Sequence, residues 1–412
     1  MSSETSSRPL ANSWKQSNLE SLLTASIGGI WGEESGLSEV DVDVVRVTEL
    51  KAHGFIEPST AAKRSITKKQ FQSRALEVGD LLLEKSGGGP NTPVGRVGYV
   101  MSIDKPMVCS NFMQLMRPDS KRVLSKYLHF FLTSLHSNGE TIPMQTSTTN
   151  IRNIKTPEYM AVPVPVPSLP EQEKIVEILE EQLSRLDAAL ASVRTVREKS
   201  ARFRRSLLHA AFTGVLTGHD TSDGTLPDGW VQKQLGEIAD VGWGDLQVTK
   251  SSYVSNGYLA YSATGADGFL DYFDFDEDGI VLSAIGAGCG RTWYAKGRWS
   301  CIKNTMRILE KSKEVNLRFL FQHLSDPEAW PKRGSGQPFI SQKDARELEV
   351  IIPPLAEQEK IVRILEEQLS RLDASLVVAD LIDKKASALR RSLLHAAFTG
   401  NLTKEWREGA HV

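Results

Sequence analysis

The sequence is poor in the residues and patterns that usually announce chemistry. Its three cysteines, Cys109, Cys289 and Cys301, are far apart, odd in number and free of any C-x-x-C pair, so neither a disulfide framework nor a zinc site is expected. No apolar run approaches the ~18 residues of a membrane span, and the start MSSETSSRPL lacks a signal peptide's apolar region, which predicts a cytoplasmic protein. Charge of one sign is missing too: 49 Lys and Arg face 51 Asp and Glu. Net charge therefore does not point to nucleic acid, and any such claim has to rest on local patches.

Catalytic constellations are equally scarce. The loop Ser86-Gly87-Gly88-Gly89-Pro90 follows a strand pattern but is not G-x-x-x-x-G-K-[ST], and Gly286, Gly288 and Gly290 make only part of a dinucleotide fingerprint, with Arg291 in place of its third glycine. There is no G-x-S-x-G elbow, no His or Cys pair at metal spacing, and no Asx- or Ser-Pro-Pro-aromatic tetrad of the kind that holds a flipped base. No catalytic residue and no metal site is predicted.

What the chain has instead is repetition. Residues 169–217 recur without a gap as 355–403: LPEQEKIVEILEEQLSRLDAAL is answered by LAEQEKIVRILEEQLSRLDASL. Repetition on this scale takes precedence over local features. Each copy predicts one long helix, because no Gly or Pro lies between Pro170 and Gly214 or between Pro354 and Gly400. Pro170 suits a first turn, Ser168 with Glu171 makes an S-x-x-E capping box that the second copy lacks, and Gly214 and Gly400 are natural stops. About 43 residues at ~1.5 Å each give a rod of roughly 65 Å. Apolar spacing predicts a seam through Ile175, Leu179, Leu186, Ala189, Val193 and Val196, matched by Ile361, Leu365, Leu372, Ser375, Ala379 and Ile382. Val176, Ile178, Leu183 and Leu190 widen it. Gln182 and Gln368 are placed on this seam, where a polar residue can set register. Two such helices in one chain most simply pack on each other.

A second repeat lies further out. Trp14 in LANSWKQSNLESLL matches Trp230 in LPDGWVQKQLGEIA, with an offset of 216 rather than 186. The chain is thus two units, 10–217 and 226–403, the first carrying extra residues in its variable part. The expected boundaries are a disordered start at 1–9, a first head at 10–167, a helix at 168–217, a second head at 218–353, a second helix at 354–403 and a tail at 404–412. Both heads read as short strands and turns with one short helix. Each leaves along a stiff Pro-rich run, VPVPVPSLP or VIIPPL.

Basic and amide residues gather on predicted loops. In the first head these are Lys63, Arg64, Lys68, Lys69, Lys85 and Arg96; in the second, Lys250, Arg291, Lys303, Asn304, Lys332, Arg333 and Gln337. Lysine neutralises phosphate, while Arg, Asn and Gln can read base edges, and glycine lets backbone approach a groove. Two divergent heads on a rod longer than one turn of DNA, ~34–36 Å, suit a split target.

The repeat, the PPLAEQEKIV start of the second helix and the LLHAAFTG exit of both helices resemble the DNA specificity subunit of type I restriction-modification systems, over essentially the whole chain. The resemblance implies an α+β protein with two similar mixed α/β target recognition domains, separated by two long antiparallel helices forming a coiled-coil spacer. It implies a non-catalytic subunit whose heads each read one half of a bipartite double-stranded DNA target. Two methyltransferase subunits would bring S-adenosylmethionine and methylate adenine, and restriction/translocase subunits would bring ATP and Mg. The helices would serve as spacer and partner-docking surface, through Ile175, Leu179, Gln182, Leu186, Ile361, Leu365, Gln368 and Leu372. The rival readings are the recognition part of a single-chain restriction-methylation enzyme and a coiled-coil adaptor with no DNA role.

Overall fold

The computed structural model describes residues 14–51, 53–89, 92–148, 151–222 and 224–409. The expected disordered start, the first residues of the LANSW segment and the last three residues of the tail lie outside them. The chain forms two compact units, Met1–Ser192 with Leu381–Val412, and Val193–Asp380. The long helices span Leu169–Phe212 and Leu355–Thr399, so each starts in one unit and ends in the other. Both stop where a glycine takes a left-handed conformation, Gly214 at φ 89° and Gly400 at φ 83°.

The first unit contains β1 (Lys15–Asn18), β2 (Leu23–Gly28), β3 (Val40–Val45), β4 (Ala62–Ile66), β5 (Leu81–Glu84), β6 (Val97–Tyr99), β7 (Met107–Cys109), β8 (Met113–Pro118) and β9 (Pro163–Val166). Strands β2-β8-β5-β6 make an antiparallel sheet, and β5 is buried on both faces at its centre. A second sheet runs β4-β3-β7 with Glu33–Glu34 at its edge, and here β3 and β7 are parallel. The Pro-rich run becomes β9, an edge strand against β1, a place where the missing proline N–H groups cost no ladder bond.

The second unit repeats this plan with β10 (Val231–Gln234), β11 (Ala239–Trp243), β12 (Tyr258–Ser262), β13 (Gly265–Leu270), β14 (Gly279–Ser283), β15 (Thr292–Ala295), β16 (Arg298–Cys301), β17 (Thr305–Glu310) and β18 (Glu349–Ile352). Its antiparallel sheet is β11-β17-β14-β15, and its second sheet is β13-β12-β16 with Phe275–Asp276 outside β16. Strands β12 and β16 are again the parallel pair, and β10 pairs with β18.

Each unit joins the start of one repeat to the end of the other. In the first, Ile175, Leu179 and Leu183 share a core with Leu394, Ala397 and Phe398. In the second, Ile361, Leu365 and Leu369 share one with Leu207, Leu208 and Ala211. Within each unit the helices are therefore antiparallel, and ion pairs hold the register. Asp187 meets Arg390 in the first unit. Arg197 meets Asp380 at 2.7 Å and Arg204 meets Asp373 at 2.5 Å in the second.

The sequence motifs at the helix ends have a shared structural job. The Glu171 carboxylate, almost fully buried, accepts from Trp14 Nε1 at 3.1 Å, from Thr403 Oγ1 at 2.7 Å and from Arg407. Glu357 accepts from Trp230 Nε1 at 2.9 Å and Thr217 Oγ1 at 2.5 Å, and faces His219 Nε2 at 2.6 Å. Burial would raise the Glu357 pKa, but these hydrogen bonds outweigh it and hold the carboxyl below its usual range. The next residue is a buried glutamine in both copies. Gln172 accepts from the Leu124 N–H and donates to the Arg122 and Pro167 carbonyls. Gln358 accepts from the Asn316 N–H and donates to Glu314 and Pro353. At the other end, Phe398 packs edge-on to Tyr127 and Phe131, and Phe212 packs edge-on to Phe319 and against His323.

Two expectations are corrected. Glu171 directs its carboxylate to Trp14, Thr403 and Arg407 rather than closing a capping box on Ser168. Of the expected seam, Gln182, Ala189 and Val196 are exposed, and the packed face keeps its members Leu183 and Val193 and continues to Ser200. Equivalent shifts leave Ser375 and Ile382 exposed and bury Leu369, with Gln368 only half-buried. The reason is angular: at ~100° per residue, the side chain before Leu183 points well away from the packed direction. In the tail, Lys404–Gly409 is a short helix that carries Arg407 to Glu171.

Candidate nucleic-acid interface

Each head has a cleft at the carboxyl ends of its parallel strand pair. In the first head it encloses about 540 Å³ and is lined by Trp31, Arg46 to Thr48, Ser86 to Gly88 and Ser110 to Phe112. In the second it encloses about 180 Å³ and is lined by Thr249, Lys250, Ser262 to Thr264 and Ile302 to Asn304. The backbone hydrogen bonds around the two correspond, although the left-handed φ of Asn304 has no counterpart at Phe112. The turn 110–112 joins β7 to β8, and the turn 302–304 joins β16 to β17. Ser110 N–H donates to Val45 O at 2.8 Å, as Ile302 N–H does to Tyr261 O at 2.9 Å. Gly29 N–H donates to Met113 O and Ile30 N–H to Cys109 O; Gly244 and Asp245 do the same to Thr305 and Cys301. Lys85 N–H donates to Phe112 O at 3.0 Å, and Ala284 N–H to Asn304 O at 2.9 Å.

Glycine is required where the turn is approached most closely. A Cβ at Gly29 would lie 2.1 Å from Ser110 O, and one at Gly244 would lie 2.5 Å from Cys301 O. Beneath each turn sits a buried thiol, Cys109 or Cys301, and burial pushes both up to about 12. Cys109, Cys289 and Cys301 are all free and buried.

A carboxylate organises one wall of each cleft. Glu49, fully buried, accepts from Arg46 Nη2 at 2.8 Å, Thr60 Oγ1 at 2.8 Å and Thr48 Oγ1 at 3.0 Å. Burial alone would raise its pKa, yet those bonds bring it down to about 2. In the second head Asp267 accepts from Lys250 Nζ at 2.6 Å, Ser262 Oγ at 2.7 Å and Tyr253 OH at 2.8 Å, and from Thr264. The same competition holds this carboxyl well below its usual range. The walls are thus set before any ligand arrives, the condition for reading a shape without reorganisation.

The residues singled out from sequence fall into groups. Lys85, Lys250, Lys303 and Asn304 lie at or beside the clefts, and Arg64 stacks 4.6 Å over Trp31. Lys63 lines a separate shallow cleft with Asp41, Asp43 and Lys105, while Lys68 and Lys69 are exposed at the start of the short helix Lys68–Arg74. Arg291 and Gln337 are exposed on neighbouring loops, tied together by Gly286 N–H to Pro338 O at 2.9 Å. Several cations have internal partners: Arg96 grips buried Glu84 at 2.8 and 3.2 Å, Lys332 meets Glu328 at 2.7 Å, and Arg333 meets Asp344 at 2.5 Å. Of the helix residues, Ile175, Leu179, Ile361 and Leu365 are fully buried in their own unit's core, with Leu186 and Leu372 half-buried. The sequence reading missed Trp31, Asn111 and Phe112, which carry no charge and no glycine to draw attention to them. Among the described residues no group of three or more His, Cys, Asp or Glu is placed to hold a metal ion, and no helix is long and apolar enough to cross a membrane.

Comparison with known proteins agrees with this two-headed plan. The StySPI type I specificity subunit of Salmonella potsdam is 24% identical over 97% of this chain and 91% of its own length. The EcoKI specificity subunit of Escherichia coli is 26% identical over 82% of this chain and 77% of its own. Among solved structures, a chain from a study of type I restriction-modification complex assembly and conformational transition matches with a TM-score of 0.67, at 17% identity over 95% of this chain and 99% of that one. The HsdS subunit of Thermoanaerobacter tengcongensis matches with a TM-score of 0.53, again at 17% identity, over 95% and 98%. At such identities the structures speak for the fold alone. The profile of the type I restriction modification DNA specificity domain, however, matches twice, at residues 41–191 and 227–375. With well over half its length matched and both heads included, the chain belongs to the family of DNA specificity subunits of type I restriction-modification systems.

Proposed function

We propose that this chain binds double-stranded DNA at a bipartite target, each head reading one half, and that it directs partner subunits without catalysing a reaction itself. The observation that carries this is the pair of clefts: one backbone frame, held by matched hydrogen bonds, with wholly different side chains in the turn. A frame kept while its lining varies is what two independent readers require. Two methyltransferase subunits supply S-adenosylmethionine and methylate adenine, restriction subunits supply ATP and Mg, and the assembly works in the cytoplasm.

Lys63, Lys68 and Lys69 contact phosphate, because each ends in an exposed point charge. Lys85, Arg64, Lys303 and Asn304 contribute at the clefts, and Arg291 and Gln337 on their own loop pair. Arg96, Lys250, Lys332 and Arg333 act mainly by holding the loops in shape through their carboxylate partners. The long helices space the heads. They offer partners their outward faces, since the inward faces are occupied.

The test is to exchange the first variable region, 23–166, for that of a relative and map methylated adenines in the reconstituted complex. One half of the target should change and the other stay. Change in both halves or in neither overturns the modular reading. So does robust methyl transfer by this chain alone.

A further inference from the structure

We propose that Phe112 and Asn304 are paired specificity positions, one per head: Phe112 recognises a thymine methyl group and Asn304 an adenine edge. This rests on the DNA-reading function proposed above and assigns it to atoms. The two residues are not aligned by either sequence repeat, since their offset is neither 186 nor 216. Matched backbone hydrogen bonds place them at corresponding positions, with different φ angles. Each is the last residue of the three-residue turn after the parallel strand, each has its carbonyl pinned by an N–H from the end of the neighbouring strand, and each lines its head's cleft.

Their chemistry differs as two readers' chemistry should. Phe112 is an apolar ring left 45% exposed at the cleft, beside Trp31. Exposed apolar side chains that line a concavity mark contact surfaces, and in a major groove the apolar group to be met is the thymine methyl. Asn304 sits at φ 72°, the one described non-glycine residue with a left-handed backbone. Glycine would hold that conformation with no side chain to accommodate. An amide there brings a donor and an acceptor side by side, the pair that bonds adenine N7 and N6 together. Gly29 and Gly244 let the turns seat closely against the neighbouring segment, so the side chain at this position is delivered from a fixed point.

The experiment uses the full chain reconstituted with its methyltransferase subunit. Adenine methylation is mapped for the unaltered protein, Phe112→Ala and Asn304→Gly, the second chosen because glycine keeps the backbone conformation. Each variant should relax one position, in opposite halves, with roughly 5- to 150-fold loss of discrimination there and an unchanged gap. Substituted oligonucleotides then test the atoms. Uracil for thymine at the position governed by Phe112 should weaken the unaltered complex and leave Phe112→Ala indifferent. 7-Deazaadenine should do the same for Asn304 against Asn304→Gly. Thermal melting of both variants, with Phe112→Leu as a second replacement, checks that the fold survives. Retention of the original motif at full discrimination by both variants overturns the inference, as does equal loss on cognate and random DNA. An unaltered complex that marks no bipartite motif overturns the proposed function itself, and this inference with it.

Discussion

If the long helices set the distance between half-sites, lengthening them should widen the gap in the target and leave its letters alone. The structure specifies how the insertion must be made. Residues 169–192 pack with the end of the second helix in one unit, and residues 193–212 pack with its beginning in the other. Four extra residues after Ser192 alone lengthen one connection by ~6 Å and leave its antiparallel partner unchanged. Either a turn must bulge out, or one unit must slip its ion pairs, Asp187 with Arg390 or Arg204 with Asp373. A matched insertion, after Ser192 and after Asp380, falls at the unit boundary in both helices and leaves every one of those pairs within its unit. Four residues turn the chain ~40° beyond a full circle, close enough for the packed face to continue as a stutter does. At 3.4 Å per base pair, ~6 Å corresponds to a gap longer by one or two base pairs. The assay is motif mapping by adenine methylation with the methyltransferase subunit present, alongside thermal melting. The matched variant should show both original half-sites across the wider gap, and the single insertion should melt earlier. A matched two-residue insertion turns the following face by ~200° and should fail to fold stably. An unchanged gap in a folded, active matched variant would refute the ruler.

Glu171→Ala leaves Trp14 Nε1, Thr403 Oγ1 and Arg407 without their buried acceptor, and should cost about 3–5 kcal/mol in urea unfolding of the first unit. The Glu49 carboxyl, about 2 in the fold against an ordinary 4.5, favours the ionised state. Its contribution, on the order of 3 kcal/mol at most, is whole above pH ~4.5 and is lost as pH falls toward 2. Stability measured between pH 6 and pH 3 should fall for the unaltered chain and fall less steeply for Glu49→Gln. Lys63→Ala and Lys68→Ala should each weaken binding to all sequences and reduce the salt slope by about one unit in a salt titration. Arg96→Ala should instead lower the melting temperature by stranding buried Glu84, at about 3–5 kcal/mol, without relaxing a base position; a relaxed motif in a protein of unchanged stability would contradict this.

Much of the architecture is legible in the sequence because it is encoded between near neighbours. The absence of Gly and Pro over some forty residues, with glycines at the ends, is enough to place both long helices within two residues of where they lie. Repetition divides the chain into two heads and two helices before any contact is known, and each head reads as short strands and turns with one short helix. What the sequence does not contain is which repeat's start meets which repeat's end. Glu171 reads locally as a capping residue, but its partners Trp14, Thr403 and Arg407 are distant in the chain, and only closure of the unit brings them to it. Apolar spacing put both Leu183 and Gln182 on the seam, and the packed face keeps only Leu183, because the angle at which two helices meet is set by both of them together. The reading positions were the least legible of all. Phe112 and Asn304 share no residue type and no repeat offset, and their equivalence resides in backbone hydrogen bonds to other strands, which depend on where the chain folds back and not on the side chains that distinguish the two heads.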